Sequence, residues 1–305
     1  MISVIIPAFN EIGSLPELMD QLRKALHIYK KWEILFVDDG STDGSTEFLN
    51  DLSRKDENVT LIQFHRNYGK SAALAEGFKR AKGEYLITMD ADLQDDPSEI
   101  PNLMKKLEEG FDLVSGWKKK RKDPISKRFP SKIFNYVTRI MTGVKIHDFN
   151  CGLKIYRKEV IKTLDLYGGR HRYIPALAGH NKFRISEIQV NHRPRMHGVT
   201  KYGGSRLFHG FFDLISIIFM NRYTQQPLHL FGFFGLFCGL ASLTVELYVI
   251  GTKIFFGHSF YEHLALMLFG AMLFILGLWF FSIGLIAEMI TRGAQEKESR
   301  VKQII

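Results

Sequence analysis

The stretch ITMDADLQDDP, Ile87 to Pro97, sets Asp90, Asp92, Asp95 and Asp96 within seven residues, directly behind a short apolar run. Carboxylates this close raise one another's pKa unless something positive stands between them. A lysine could serve, and so could a metal ion carrying a charged substrate. In an extended segment residues i and i+2 point the same way, so Asp90 and Asp92 are expected to converge, with Gln94 next in the row if the strand continues. Hard oxygen ligands of this type suit Mg²⁺ or Mn²⁺, which bind through one or two carboxylates plus substrate phosphates. The competing reading is a solvated acidic loop that caps a helix. Asp95 and Asp96, followed by Pro97 and Ser98, fit the cap, which leaves Asp90 and Asp92 for metal.

A second acidic pair, Asp38 and Asp39, opens VDDGSTDGS. Gly40 to Ser45 read as a turn and a helix start, but that accounts for neither acid. A carboxylate there can accept a hydrogen bond from a base N–H or a ribose hydroxyl. PAFNE, Pro7 to Glu11, offers a similar site.

These groups need a frame to hold them. Ile2–Phe9, Glu33–Asp39, Val59–Phe64, Glu84–Asp92 and Phe111–Trp117 are apolar runs of strand length. Between them Ser14–Tyr29, Asp43–Lys55, Lys70–Lys82 and Ser98–Glu109 carry helical spacing, and Ser14 with Glu17 has capping-box form. Alternating β and α with continuous apolar strands indicates a mostly parallel sheet covered on both faces. Ligands of such sheets bind beyond the carboxyl ends of the strands. Asn10–Glu11, Asp38–Asp39 and Asp90–Asp92 all fall at such ends. The chain has 305 residues, 46% of them hydrophobic, with a net charge of +9 and only two cysteines. The charge points to an anionic partner or to a membrane surface. The cysteine count permits no disulfide framework and fits a reducing compartment, and the N-terminus reads as a strand, not a signal peptide.

Past Lys201 the composition turns apolar. Leu214–Met220, flanked by Arg206 and Arg222, is too short to cross a bilayer and reads as part of a helix lying in the membrane interface. Leu228–Ile250 and Leu264–Ala287 are long enough to span. The expected organisation is a catalytic part over 1–203, an amphipathic region over 204–226, a transmembrane hairpin over 227–290 and a basic tail over 291–305. Lys and Arg flank the hairpin more densely than its connector, which places both termini in the cytoplasm. Glu246, the one charge within the first span, is read as lying toward the outer interface.

VIIPAFNE, ILFVDDGSTDGS, RNYGKSAALAEGF and MDADLQDDP, in this order and spacing, resemble family 2 glycosyltransferases of the α/β GT-A fold, a Rossmann-like and mostly parallel architecture. DFNCGLKIYRKEV, RPRMHGVTKYGG and the apolar hairpin narrow the likeness to the polyisoprenyl-phosphate glycosyltransferases, among them dolichol-phosphate mannose synthases and bactoprenol glucosyltransferases. The resemblance implies transfer of one sugar, with inversion, from a nucleotide-sugar such as UDP-glucose, UDP-N-acetylhexosamine or GDP-mannose to a polyprenyl phosphate. It implies Mg²⁺ or Mn²⁺ at Asp90, Asp92 and Gln94, with Ala91 between them. Pro7, Asn10, Glu11, Asp38 and Asp39 line the nucleoside pocket, and Gly69 and Lys70 pass near base and ribose. Arg128 and Ser131 match an R-x-x-S acceptor pattern inside the basic run Lys118–Asn135, and Lys118 or Arg121 replaces an arginine that some members carry after the fifth strand. The same basic run would also attract anionic lipid. Arg195 and Lys201 could close over the diphosphate, or simply sit at the headgroups. Asp148 positions sugar or acceptor. By analogy the chain forms a homotetramer. A processive polysaccharide synthase would carry a Q-x-x-R-W motif, which is absent. A membrane-tethered binding protein without turnover would not need the acceptor segment. No nucleic-acid motif and no G-x-G-x-x-G after a strand occurs.

Overall fold

The first strand is buried on both faces, Val4 and Ile6 facing one core and Ile5 the other. A strand with that pattern belongs mid-sheet. The computed structural model describes residues 1–119, 125–164, 166, 168–193 and 226–295, and the chain divides into two compact units, Met1–Ile215 and Ser216–Ile305. In the first unit β1 (Ile2–Ala8), β2 (Trp32–Asp38), β3 (Val59–Gln63), β4 (Tyr85–Thr88), β5 (Leu113–Trp117), β6 (Lys154–Arg157) and β7 (Ile185–Gln189) form one sheet of order β3-β2-β1-β4-β6-β5-β7. Neighbours run parallel except at β6, which is antiparallel to both β4 and β5.

The helices of this unit are α1 (Leu15–Leu26), α2 (Ser45–Lys55), α3 (Lys70–Arg80), α4 (Ile100–Glu108), α5 (Ile125–Thr142), α6 (Lys158–Lys162) and α7 (Ile174–His180). Leu18 of α1, Leu49 of α2 and Leu103 of α4 fill the core on one face of the sheet. Leu74 of α3, Val160 of α6 and Ile174 of α7 fill the other. The mostly parallel, doubly covered α/β sheet expected from the sequence is what forms.

Two local expectations need correction. β4 ends at Thr88, so Asp90 and Asp92 lie in the turn beyond it and the alternating row toward Gln94 does not continue. Leu93 is left-handed there, with φ 61, a conformation that bends the chain out of any extended run. Ser14 is the N-cap of α1 but makes no side-chain cap bond. Its hydroxyl instead reaches the Ala91 carbonyl at 2.7 Å, which fastens the acidic turn to the start of α1.

The second unit contains α8 (Pro227–Phe256, 30 residues) and α9 (Leu264–Gln295, 32 residues). At about 1.5 Å per residue both exceed the roughly 30 Å of a bilayer core. Gly235, Ser242 and Val249 recur every seventh residue as the buried line of α8, and Gly270, Gly277 and Gly284 do so on α9. Ser242 donates to the Gly270 carbonyl at 2.7 Å, and a Cβ on Gly235 would lie 2.9 Å from the Gly277 carbonyl. This is an antiparallel seam of heptad type, closed by small residues. Glu246 lies on it, where a Cβ on Gly270 would strike the carboxylate. The remaining faces are apolar and exposed, as at Phe237, Leu247 and Trp279. The expected interface helix around Leu214–Met220, with Arg206 and Arg222, lies outside the described residues, as does the tail beyond residue 295.

Candidate active site

The reversed strand decides which residues meet. β6 begins where β4 and β5 end, so Lys154 lies opposite Thr88 on one side and Ser115 on the other. The loop that feeds β6, from Asp148 to Leu153, is delivered to the acidic turn. Thr88 donates to the Gly152 carbonyl at 2.8 Å. A Cβ on Gly152 would sit 2.7 Å from carboxylate oxygens of both Asp90 and Asp95. Glycine alone fits so close an approach.

Asp95 is therefore no helix cap. It is fully buried, with the Lys118 ammonium 2.7 Å from Oδ1 in a close ion pair. The cap belongs to Asp96, which accepts from the Ser98 amide at 3.0 Å and from Arg193 at 2.6 Å. Lys70 bonds Asp90 directly. Lys154 supplies a third ammonium, which donates to the Cys151 carbonyl. Burial opposes ionisation of Asp90, but Lys70 and Lys118, with Lys154, outweigh it and hold its pKa at about 2. Burial likewise opposes a charged Lys118, and Asp95 more than offsets it, raising the pKa. Lys154 has no carboxylate at ion-pair distance among the described residues. Burial, reinforced by Lys70, lowers its pKa. His171, 2.9 Å from the Ser71 hydroxyl, is driven well below the usual imidazole range by burial and then by Lys70. A small cavity beside Asp90 is lined by Lys70, Thr88, Asn150, Lys154, Tyr156 and His171, with no acid in its wall.

On the other side of the sheet edge two loops close on each other. Asn10 is left-handed, φ 53, which Asn tolerates better than most residues. Its side-chain oxygen accepts from the Thr42 amide at 2.7 Å, and its own amide donates to the Ser41 hydroxyl at 2.9 Å. The Glu11 amide donates to the Ser45 hydroxyl at 3.0 Å. Asp38 is buried and accepts from the Ser41 amide at 3.0 Å and from the Thr46 hydroxyl. Asp39 accepts from the amides of Tyr68 and Gly69, at 2.7 and 2.9 Å, and burial raises its pKa in spite of them. It thereby fixes the loop that presents Lys70 as the first residue of α3. Pro7 lies within β1 opposite Val37.

Of the other expected residues, Asp92 is half-buried in the turn and accepts from the Gln94 amide at 3.2 Å. Asp148 is buried and accepts from the Asn150 amide at 3.2 Å. Arg128 and Ser131 both fall on α5. Of the two cations considered after β5, Lys118 faces the acidic cluster, while Arg121 lies outside the described residues, as do Arg195 and Lys201. Among the described residues no three His, Cys, Asp or Glu side chains gather as a metal site. Asp90 and Asp92 offer two carboxylates, the number that suffices when substrate phosphates complete the shell of a divalent ion. The donor set fits an ion that arrives with a diphosphate. Sequence reasoning passed over Lys154, His171 and Asn150. The one signal was a lysine set inside the apolar strand of GLKIYR.

The family model described as Glycosyl transferase family 2 matches residues 3–165. Dodecaprenyl-phosphate galacturonate synthase of Rhizobium johnstonii is 39% identical over 297 residues, covering 95% of this chain and 88% of that protein. Undecaprenyl-phosphate 4-deoxy-4-formamido-L-arabinose transferase of Pseudomonas aeruginosa is 34% identical over 307 residues, covering 100% of this chain and 89% of that protein. Among solved structures, glucosyl-3-phosphoglycerate synthase from Mycobacterium tuberculosis, in complex with Mn²⁺, UDP-glucose and phosphoglyceric acid, superposes with a TM-score of 0.56 at 17% identity, over 72% of this chain and 79% of that one. At that identity the likeness speaks for the fold alone.

Proposed function

The chain belongs to glycosyltransferase family 2, and on that premise we propose that it transfers one sugar, with inversion, from a nucleotide-sugar to the phosphate of a membrane polyprenol. One observation carries the reading. The acidic turn after β4 is ringed by lysines at the open sheet edge, in a chain that also bears two apolar helices of bilayer length. Both relatives are named for a polyprenyl phosphate, which supports that acceptor class. The mycobacterial synthase bound Mn²⁺ with UDP-glucose, which supports a metal-assisted donor.

In this reading an oxygen of the acceptor phosphate attacks the anomeric carbon. The bond from that carbon to the diphosphate breaks, and its electron pair leaves with the nucleoside diphosphate. The attacking phosphate is already anionic near neutral pH, so no strong base is required. Placement by cations is required. Lys118, Arg128 and Ser131 seat the acceptor phosphate, Asp148 orients the reacting groups, and Arg195 and Lys201 close over the diphosphate. Pro7, Asn10, Glu11, Asp38, Asp39 and Gly69 build the nucleoside pocket. Mg²⁺ or Mn²⁺ at Asp90 and Asp92, near Gln94, offsets the charge on the leaving group when bound. The catalytic part is residues 1–203, with an interface region, a membrane hairpin and a tail following it, both termini cytoplasmic, in a homotetramer.

The test is a transfer assay on the full chain in detergent. Undecaprenyl phosphate is offered with a panel of UDP- and GDP-sugars, uronic acids included, each with Mg²⁺, Mn²⁺ or EDTA. The expected result is one lipid-linked sugar, formed only with metal, and a loss of about 100-fold or more in Asp92→Ala. Binding of a nucleotide-sugar with no transfer from any donor would overturn the reading.

A further inference from the structure

Asp90 cannot hold an ammonium and a divalent ion in the same place. Lys70 already bonds its Oδ1, and Lys118 and Lys154 stand close enough to act on its charge. The Asp95 carboxylate does not relieve this, because Lys118 lies against it. Among the described residues no further set of ligands gathers to compensate. A bare divalent ion arriving at the turn therefore finds Asp90 already neutralised by Lys70 and must displace that ammonium with nothing to receive it. An ion carried on a nucleoside diphosphate meets a different balance. The diphosphate neutralises the ion and offers the displaced ammonium a new anionic partner.

We propose that Lys70 is the counter-ion that Asp90 exchanges for the donor's metal ion, and that the displaced ammonium then binds the donor diphosphate. The site thus excludes free metal and admits it only with nucleotide. The inference rests on the nucleotide-sugar reading above. The geometry suits an exchange made by one side chain. Gly69, just before Lys70, is tied through its amide to Asp39, so the backbone is fixed. The Lys70 side chain retains 25% exposure and has room to swing.

The experiment measures Mn²⁺ binding to the full chain in detergent, from the electron paramagnetic resonance of the free ion, with and without UDP. Wild type should bind Mn²⁺ about 100-fold more weakly without UDP than with it. Lys70→Met should bind Mn²⁺ alone about tenfold tighter than wild type, or more, while binding UDP more weakly. Lys70→Arg keeps the charge and should keep the exclusion. Lys79→Met, at an exposed position on the same helix, should match wild type. Circular dichroism checks each fold, and Lys70→Gln gives the same reading should the Met variant not fold. Equal Mn²⁺ affinity of Lys70→Met and wild type without UDP overturns the exchange. The same titration is run with GDP, and failure of both UDP and GDP to bind any variant, with or without Mn²⁺, overturns the nucleotide reading and the exchange with it.

Discussion

Lys154 is buried, donates to a carbonyl, and has its pKa lowered from 10.5 by burial and by Lys70. The folded chain therefore holds that proton less readily than the unfolded chain does. For a base, a depressed folded pKa means that the charged form opposes folding at neutral pH, and the opposition fades as pH rises through the lowered value toward 10.5. Lys154→Met, of similar volume, should melt a few degrees higher than wild type at pH 7, with the gain shrinking toward alkaline pH. The same variant should transfer sugar more slowly, because the cavity beside Asp90 loses one of its two ammonium groups. Lower stability with unchanged transfer would make Lys154 a structural residue only. Asp90 and Asp92 were legible because acids bunched at the end of an apolar run announce themselves locally. Lys154 and His171 were not, since each is a single polar residue whose neighbours come from distant strands. Asp95 was misread because Asp-Asp-Pro-Ser has the form of a cap, and a local pattern does not say which acid caps.

At the scale of elements, β6 is what brings the site together, and it was the element least visible beforehand. KIYR is four residues long and charged at both ends, so no periodicity marks it. The first five strands and four helices were legible because each carries enough apolar residues in a run or repeat to mark it. Capping shows the same division between form and use. Ser14 looked like a cap and ties down the acidic turn instead, whereas Asp96 is a true cap held also by Arg193. Burial works against a charged Asp96, but the Ser98 hydroxyl and amide, with Arg193, lower its pKa from 3.8. A depressed carboxyl stabilises the fold above its unfolded value, and that contribution is lost as pH falls through the lowered one. Asp96→Ala should cost about 1–2 kcal/mol at neutral pH. It should also flatten the loss of stability that wild type shows below pH 3.8. Near-UV circular dichroism during acid titration measures both, and identical acid profiles would remove Asp96 from the account.

At the scale of the whole chain the apolar hairpin was legible outright, because length and hydropathy alone qualify a segment to span. Its seam was also written in the sequence, as small residues every seventh position, although only the structure shows the two lines facing each other. Glu246 points into that seam against Gly270 and not toward the apolar faces. That placement removes the main objection to a charge within a span. The connector contains Lys253 as its one Lys or Arg, while both flanks of the hairpin carry more, so the positive-inside bias favours the connector on the far side. With Cys151 and Cys238 replaced by serine, a membrane-impermeant maleimide should label Ser259→Cys in intact expressing cells. Ser299→Cys should be labelled only after permeabilisation. The opposite pattern would put the nucleotide site on the outer face, away from cytoplasmic nucleotide-sugars, and would leave the proposed reaction without a donor.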